Sequence, residues 1–349
     1  MILFFLTAYA YDAILVIIGV NTVIGSRLFL PVLIFLCYWF ACAACQSPKK
    51  FVDAIKLVIL IHCLFFLAQF LVFLFSGYLI DYLEPITGES QRALGGNYEI
   101  AILPNFIRAT GLYNEPGTYS TYLMLFLVFS KDLEKIAGFR SIGKPVELLV
   151  LITVMLSFSN FGFIFVGFYL FFSFFANTGF SKRSGFQLSK FLFNIFLMAA
   201  ILFCGFIFYE YFQQRFFSSS SESGIEFRIF GLMNVLTNVD WVEMLFGKGF
   251  SAPVETYDGV PLPIQDIGFW FGIIYHVGLV GAIVMSLCIF SSIPGFFREW
   301  SANSYFFCLV VFLLLCKLGF TNPIVLIVLA YASVRGVVAK RNAEQNLLV

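Results

Sequence analysis

Long apolar runs separated by short polar segments fill the chain from end to end. Ten of these runs are long enough to cross a bilayer as helices, and they lie at 2–20, 28–45, 55–79, 117–130, 146–160, 161–177, 190–209, 267–292, 304–320 and 322–335. The pattern predicts an all-α polytopic membrane protein with about ten transmembrane helices. No basic segment precedes the first run, which favours an uncleaved first span over a removable signal peptide.

The run from 146 to 177 is compatible with one long tilted helix or with two short helices that fold at its polar centre. Cations lie on both sides of it: Lys131, Lys135, Arg140 and Lys144 before, and Lys182, Arg183 and Lys190 after. Because lysine and arginine next to spans favour the cytoplasmic side, both flanks are expected there, which requires two crossings. The charges therefore predict a helical hairpin with its turn at 157–162.

The same rule places both termini in the cytoplasm and two long loops, 80–116 and 210–266, outside. The second loop has eight acidic and three basic residues, a net charge of −5, as expected of an exported segment. In it Ile229, Leu232, Met233 and Leu236 recur at helical spacing, which predicts an amphipathic helix on the membrane surface. Without an internal repeat or a soluble stretch, residues 1–349 are predicted to form one integral membrane domain.

Composition supports this class, because 60% of the residues are hydrophobic, 12% are charged and the mean hydropathy is +0.93. No basic cluster alternates with aromatic residues, so no nucleic-acid partner is expected. The eight cysteines lie in apolar runs and are interpreted as small apolar fillers. The sequence also has no phosphate-binding loop and no metal-ligand cluster, so neither a metal nor a cofactor is expected.

The segment from Arg108 to Tyr122, RATGLYNEPGTYSTY, places a cation, a carboxylate, glycines and a proline at the mouth of a span. Charged and turn-forming residues next to hydrocarbon are costly to maintain, which favours a role in chemistry for some of them. This segment is the first candidate for an active site.

The segment resembles a motif of bacterial O-antigen polymerases and of the related O-antigen ligases, in which an arginine, a glycine and Glu-Pro lead into a span. A later loop is similar to a second motif of these families, with Arg228, Gly247-Lys248-Gly249, Asp266 and then Gly278 and Gly281 in this order. The chain has histidines only within predicted spans, at His62 and His276, whereas ligases usually have one in the large outer loop. This departure favours a polymerase. In a second departure, Ser157, Ser159 and Asn160 replace an arginine found in the turn of many family members.

The resemblance implies a helical bundle like that of GT-C glycosyltransferases, in the bacterial inner membrane, with 80–116 and 210–266 as periplasmic loops. It implies glycosyl transfer at the periplasmic face, with undecaprenyl-diphosphate-linked glycans as substrates that are joined into O-antigen polysaccharide. Membrane lipids and a chain-length regulator protein are the other expected partners. The alternatives are an O-antigen ligase, which moves glycan to the lipid A-core, and a flippase or another transporter of lipid-linked oligosaccharide.

Within this reaction, arginine and lysine suit the diphosphate, because they stabilise the charge that develops on its oxygens. The residues assigned to that task are Arg108, Arg228, Arg215 and Lys317. A base must accept the proton of the acceptor hydroxyl, and its candidates are Glu115, Asp266 and His276. Aromatic rings stack on sugars, and the candidates for this are Tyr113, Tyr119 and Trp270.

Each of these roles has a structural alternative. Arg108 would contact lipid headgroups or pair with Glu115, and Glu115 would cap the helix that Pro116 opens. His276 would hydrogen-bond within the bundle, and Lys317 would extend to the membrane surface. The aromatic residues would form the belt found at membrane interfaces, and the glycines at 278 and 281 would allow close helix packing.

Overall fold

Most of the residues that the computed structural model describes are helical. The described residues are 29–88, 90–91, 99–100, 103–178, 240–249, 256–257, 260–261, 269–291, 300–316, 318–319 and 322–346, with Ala10, Ala13, Ile14, Ile17, Met233 and Thr237. The helices are α1 Phe29–Gln46, α2 Pro48–Ser76, α3 Glu84–Thr87, α4 Pro116–Ala137, α5 Lys144–Leu156, α6 Asn160–Thr178, α7 Trp241–Phe246, α8 Phe269–Ser291, α9 Trp300–Leu315 and α10 Pro323–Asn346.

Every predicted apolar run from 28 to 177 and from 267 to 335 coincides with one of these helices. Within the first predicted run only Ala10, Ala13, Ile14 and Ile17 are described, all of them helical, and the run at 190–209 lies outside the described residues. Prolines help to define where helices begin, because Pro48, Pro116 and Pro323 occupy first turns, where no backbone N–H is needed.

Two described helices, α2 and the part of α8 from Phe269 to Ile289, are long and apolar enough to cross a membrane, and four other apolar helices are shorter. In α2 only 28% of the apolar window is buried by the rest of the chain. Large side chains such as Leu64, Leu71 and Phe75 remain exposed along it. An apolar surface of this kind is suited to lipid rather than to water.

The chain divides into two compact units, residues 1–46, 215–295 and 313–349 in the first and residues 47–214 and 296–312 in the second. In the second unit α2, α4, α5 and α6 pack against one another as a four-helix bundle. In the first unit α1 packs against α10, and α7 packs against α8.

The α5–α6 connection confirms the predicted helical hairpin. The long apolar run is interrupted at Ser157, Phe158 and Ser159, and Phe158 has a positive φ of 48°, which is uncommon for a bulky residue. Ser159 caps the new helix, because its Oγ accepts a hydrogen bond from the Gly162 N–H at 3.4 Å.

The four helices of the bundle have two distinct ends. We call residues 108–120 and 157–160 the loop end, because the first long loop meets the α5–α6 turn there. We call residues 131–147 the charged end; it includes the last turns of α4, the connection to α5 and the first turn of α5. Lys56 near the start of α2 donates to the Ser141 carbonyl at the charged end, and Lys135 donates to the Ala176 carbonyl near the end of α6.

Two short β hairpins modify the all-α prediction. In the first predicted loop, β1 (Glu99–Ile100) pairs in antiparallel fashion with β2 (Leu103–Ile107), which leads directly to Arg108. In the second, β3 (Thr256–Tyr257) pairs with β4 (Val260–Pro261). The predicted amphipathic helix at 229–236 lies outside the described residues except for Met233, which is helical and 55% exposed.

Candidate functional site

Two buried glutamines hold the loop from Arg108 to Glu115 in place. Gln69, in the interior of α2, accepts hydrogen bonds at Oε1 from the N–H groups of Thr110 (2.8 Å) and Gly111 (3.0 Å). Its Nε2 donates to the Ile80 carbonyl and to Gln91 Oε1. All the capacity of this amide for two donated and two accepted bonds is therefore used.

Gln91 holds the same loop, and we call the hydrogen bonds that Gln69 and Gln91 make to it the glutamine clamp. Its Nε2 donates to the carbonyls of Gly111 (2.7 Å) and Tyr113 (2.9 Å), and its own N–H donates to Asp81 Oδ2. Both glutamine side chains are buried. Sequence reasoning missed them, although a lone glutamine inside the apolar run 55–79 is itself a signal, because an amide in hydrocarbon is costly unless it is hydrogen-bonded.

Gly111 lets this loop lie directly against α2. Its φ is +57°, and a Cβ at this position would lie 3.3 Å from the Phe66 nitrogen and 3.4 Å from the His62 carbonyl oxygen. A larger residue would be strained by its backbone conformation and would press on the helix backbone. The glycine of the RATG segment is thus explained by the close approach of loop and helix.

Arg108 joins the loop to the α5–α6 turn. Its side chain is only 3% exposed, and Nε donates a hydrogen bond to the Phe158 carbonyl at 3.2 Å. In this structure the guanidinium is therefore enclosed by protein groups. The serine-rich turn, which departs from the family pattern by having no arginine, is therefore in direct contact with an arginine from the loop.

The starts of α4 and α6 pack together at the same end of the bundle. The Ser120 hydroxyl in the second turn of α4 hydrogen-bonds the Ser157 hydroxyl at 2.8 Å, and it lies 3.0 Å from where a Cβ of Gly162 would be. A helix start carries a partial positive charge. Because α5 ends at Leu156 in the same place, with the opposite partial charge, the buried guanidinium is the main feature that favours an anion at the loop end.

Glu115 occupies the N-cap position of α4, and its side chain is half-buried. Its Oε1 accepts a hydrogen bond from the Thr118 hydroxyl at 3.2 Å, while its carboxylate makes no hydrogen bond to a backbone N–H of the first turn. The structure therefore does not support the capping alternative, and the role of Glu115 as a base stays a prediction.

Tyr113 is half-buried on the loop, whereas Tyr119 is fully buried in α4. Tyr113 stacks on His62 with ring centroids 4.8 Å apart, and burial raises the pKa of its hydroxyl well above the usual value, with Tyr122 adding to the effect. The Tyr113 hydroxyl is thus protonated at neutral pH. Tyr119 is fully buried, with its ring stacked on Phe66 at 4.6 Å, so a sugar ring has no access to it in this structure.

In the first unit, α8 is broken at Gly278, which has φ +69° and ψ −177°. The Gly247–Gly249 turn after α7 lies against the break: the N–H groups of Lys248 and Gly249 donate to the carbonyls of Tyr275 (2.8 Å) and His276 (3.0 Å). A Cβ on Gly278 would lie 2.2 Å from the Leu245 carbonyl oxygen. Gly278 therefore does more than permit close packing, because it also interrupts the predicted continuous span.

His276 is 8% exposed, and its Nδ1 lies 2.8 Å from the Gly249 carbonyl oxygen. Because a carbonyl only accepts hydrogen bonds, Nδ1 carries the proton and Nε2 is the basic nitrogen of the neutral ring. The alternative of a hydrogen bond within the bundle is confirmed, and the assigned tautomer also suits a base.

The other predicted site residues are distributed as follows. Trp270 is half-buried beside Phe269 in the first unit, with the two rings perpendicular at 5.2 Å. Four residues lie outside the described part of the chain: Arg215, Arg228, Asp266 and Lys317. The structure brings Arg108, Tyr113 and Glu115 together on one loop. Across the described ranges no three histidine, cysteine or acidic side chains cluster as metal ligands would.

Comparison with known proteins identifies no relative of this chain. No protein-family model matches the sequence, and no curated protein or solved structure is significantly similar to it. The proposals below therefore depend on the residues of this chain and on their geometry.

Proposed function

We propose that this protein polymerises undecaprenyl-diphosphate-linked repeat units by glycosyl transfer, as do the O-antigen polymerases that its sequence resembles. In this proposal the chain crosses the bacterial inner membrane about ten times, with both termini in the cytoplasm and the loop end of the bundle at the periplasmic face. The main support is the buried Arg108, which lies on an anchored polar loop beside the packed starts of two helices.

The arginine fits the leaving group of this reaction. When the bond between the anomeric carbon and the diphosphate oxygen breaks, negative charge develops on the departing lipid diphosphate. Arg108 stabilises this charge, and the glutamine clamp fixes beforehand the position of the loop that carries it. A guanidinium is also suited to hold two phosphate oxygens at once, and it keeps its charge at any physiological pH.

Glu115 fits the acceptor side of the reaction. The acceptor hydroxyl forms the new bond to the anomeric carbon, and its proton passes to the Glu115 carboxylate, seven residues from Arg108 on the same loop. His276 belongs to the other unit and is not part of this proposal.

A lipid-linked donor is consistent with the surroundings of the loop. Leu71 and Phe75, in the last two turns of α2, are 44% and 83% exposed. These turns adjoin the loop, because Gln69 of the same helix binds Thr110 and Gly111. The exposed apolar surface would receive the polyprenyl chain beside the loop that carries Arg108.

The test is polymerisation by the purified protein in lipid vesicles. The substrate is the lipid-linked repeat unit extracted from cells that lack this protein, and the products are separated by length. We expect a ladder of products on the lipid diphosphate, unchanged by a chelator. Arg108→Ala should remove the ladder, whereas Arg140→Ala, a change of an exposed arginine at the charged end, should leave it intact. Absence of a ladder with folded wild-type protein would overturn the proposal.

Deletion of the gene separates the alternatives. Loss of a polymerase leaves single repeat units on the cell surface, loss of a ligase leaves no repeat units attached, and loss of a flippase strands the intermediates inside. We expect the first result.

A further inference from the structure

Three polar side-chain atoms next to the loop are buried without a hydrogen-bond partner among the residues that the structure describes. They are Thr110 Oγ1, His62 Nδ1 and Asn160 Oδ1. A buried polar atom without a partner destabilises the folded protein, so it requires an explanation such as a bound molecule.

All three belong to segments that contact the loop directly. Thr110 lies in the loop and is fully buried. His62 stacks on Tyr113, and its carbonyl oxygen lies 3.4 Å from where a Cβ of Gly111 would be. Asn160 begins α6 two residues after Phe158, the carbonyl of which binds Arg108.

Other buried polar groups in this region do have hydrogen-bond partners. Gln69 makes four hydrogen bonds, and the hydroxyls of Ser120 and Ser157 each have an acceptor for their one proton: one hydroxyl donates to the other, which in turn donates to a backbone carbonyl. Elsewhere in the described ranges, the buried hydroxyl of Ser130 also lacks a hydrogen-bond partner. Around the loop such atoms occur on three segments, namely α2, the loop itself and the start of α6.

We propose that Thr110, Asn160 and His62 form a sugar subsite, which binds polar groups of the saccharide attached to the diphosphate. This inference depends on the proposed function, because it places the sugar beside a diphosphate held by Arg108. The subsite would select the saccharide, whereas Arg108 recognises the part that every lipid-linked donor shares.

The chemistry of the three groups favours a neutral, hydroxylated ligand. A hydroxyl, an amide and a neutral imidazole can each donate or accept hydrogen bonds, as sugar hydroxyl and acetamido groups do. Of the three residues only His62 has a side chain typical of transition-metal sites, and none of the three supplies a carboxylate or thiolate. The stacked ring of Tyr113 fixes His62 in place, and burial keeps water from competing.

A stability measurement on the ligand-free protein separates a binding role from a structural one. Thr110→Val and Asn160→Leu remove buried polar atoms that have no partner, so we expect an unchanged unfolding temperature or an increase of about 2 °C, together with reduced polymerisation. Ser130→Ala is the matched control, because it removes another such atom within α4, and it should leave polymerisation unchanged. A lower unfolding temperature for Thr110→Val and Asn160→Leu would indicate a structural role and would overturn the inference.

A binding measurement then identifies the ligand. The purified protein is titrated with undecaprenyl diphosphate and with the undecaprenyl-diphosphate-linked repeat unit extracted from cells that lack the protein. We expect the wild type to bind the repeat unit more tightly, and we expect each variant to lose about tenfold of that preference while keeping its affinity for undecaprenyl diphosphate. If the wild type binds neither lipid, the proposed function fails. If it binds both and the variants keep the full preference, the sugar subsite alone is wrong and the three groups hold only water.

Discussion

The two ends of the bundle in the second unit bury polar groups in different ways. At the charged end, Lys131 pairs with Glu134 and Glu147 and donates to the Ile142 carbonyl, and Glu134 accepts from the N–H groups of Ser141 and Ile142. At the loop end, Arg108 is equally buried, but Thr110, His62 and Asn160 place polar atoms in the interior without a hydrogen-bond partner in the described structure.

This difference separates polar groups that hold the fold from polar groups that are available to a ligand. A buried ion pair whose charged groups also bond to the backbone fixes the connection between two helices. Buried groups with unused hydrogen-bonding capacity destabilise the folded protein, and such groups are typical of sites where a ligand supplies the missing partners. The predictions below test whether the two ends differ in this way.

Arg108→Ala should have the largest effect. Without the guanidinium, the charge on the leaving diphosphate is not stabilised, so the polymerisation rate should fall by about 10³-fold. Arg108→Lys should recover only part of it, because an ammonium group lacks the planar fork. The rate is measured with the purified variants at equal folded concentration. Polymer of normal length and rate from Arg108→Ala would contradict the assignment of the loop end as the site.

Glu134→Ala should act on stability instead. The change removes the acceptor for two backbone N–H groups and leaves the buried Lys131 with one carboxylate fewer, which should lower the free energy of unfolding by about 3 kcal/mol. The measurement is denaturant or thermal unfolding, alongside polymerisation per folded molecule. A loss of specific activity at unchanged stability would remove the distinction between the two ends.

Glu115→Gln distinguishes chemistry from support of the loop. Glutamine keeps an oxygen that can accept the Thr118 hydrogen bond, so stability should be unchanged, while loss of the base should reduce the rate by about 10²-fold. Thr118→Val is the control, because it removes that hydrogen bond and keeps the carboxylate. Equal rates for wild type and Glu115→Gln would show that Glu115 is not the base.

Gly111→Ala should have the smallest effect, and Gly138→Ala is its matched control. Both glycines have a positive φ, +57° and +69°, so both substitutions should cost about 1 kcal/mol of stability. Only at Gly111 does the new methyl group press on α2, which shifts the loop and should lower the polymerisation rate about tenfold. If Gly138→Ala lowered the rate by as much, the close approach of loop and helix would not matter for activity.

Much of the helical fold is predictable from the sequence, because its long apolar runs are bounded by polar and turn-forming residues. The charges flanking 146–177 also predicted the α5–α6 hairpin correctly. The Glu-Pro pair also predicted where α4 begins, and Pro116 does occupy its first turn.

The parts that were not predicted depend on contacts between distant segments. Gln69 and Gln91 are 22 residues apart, and nothing in either neighbourhood indicates that they meet around one loop. The break of α8 at Gly278 requires the approach of the turn at 247–249, whereas a Gly-x-x-Gly pattern is equally typical of a continuous packed helix. The burial of Arg108 likewise follows from the turn at Phe158, 50 residues later.

The most direct test of the account is to locate the bound lipid diphosphate on the chain. An undecaprenyl diphosphate that carries a photoreactive group next to the phosphates is crosslinked to the purified protein in vesicles, and the labelled peptides are identified by mass spectrometry. We expect labelling within 108–120 and 157–160, which excess lipid-linked repeat unit prevents and which Arg108→Ala greatly reduces. Labelling confined to the charged end, or labelling that the repeat unit does not prevent, would contradict the central claim.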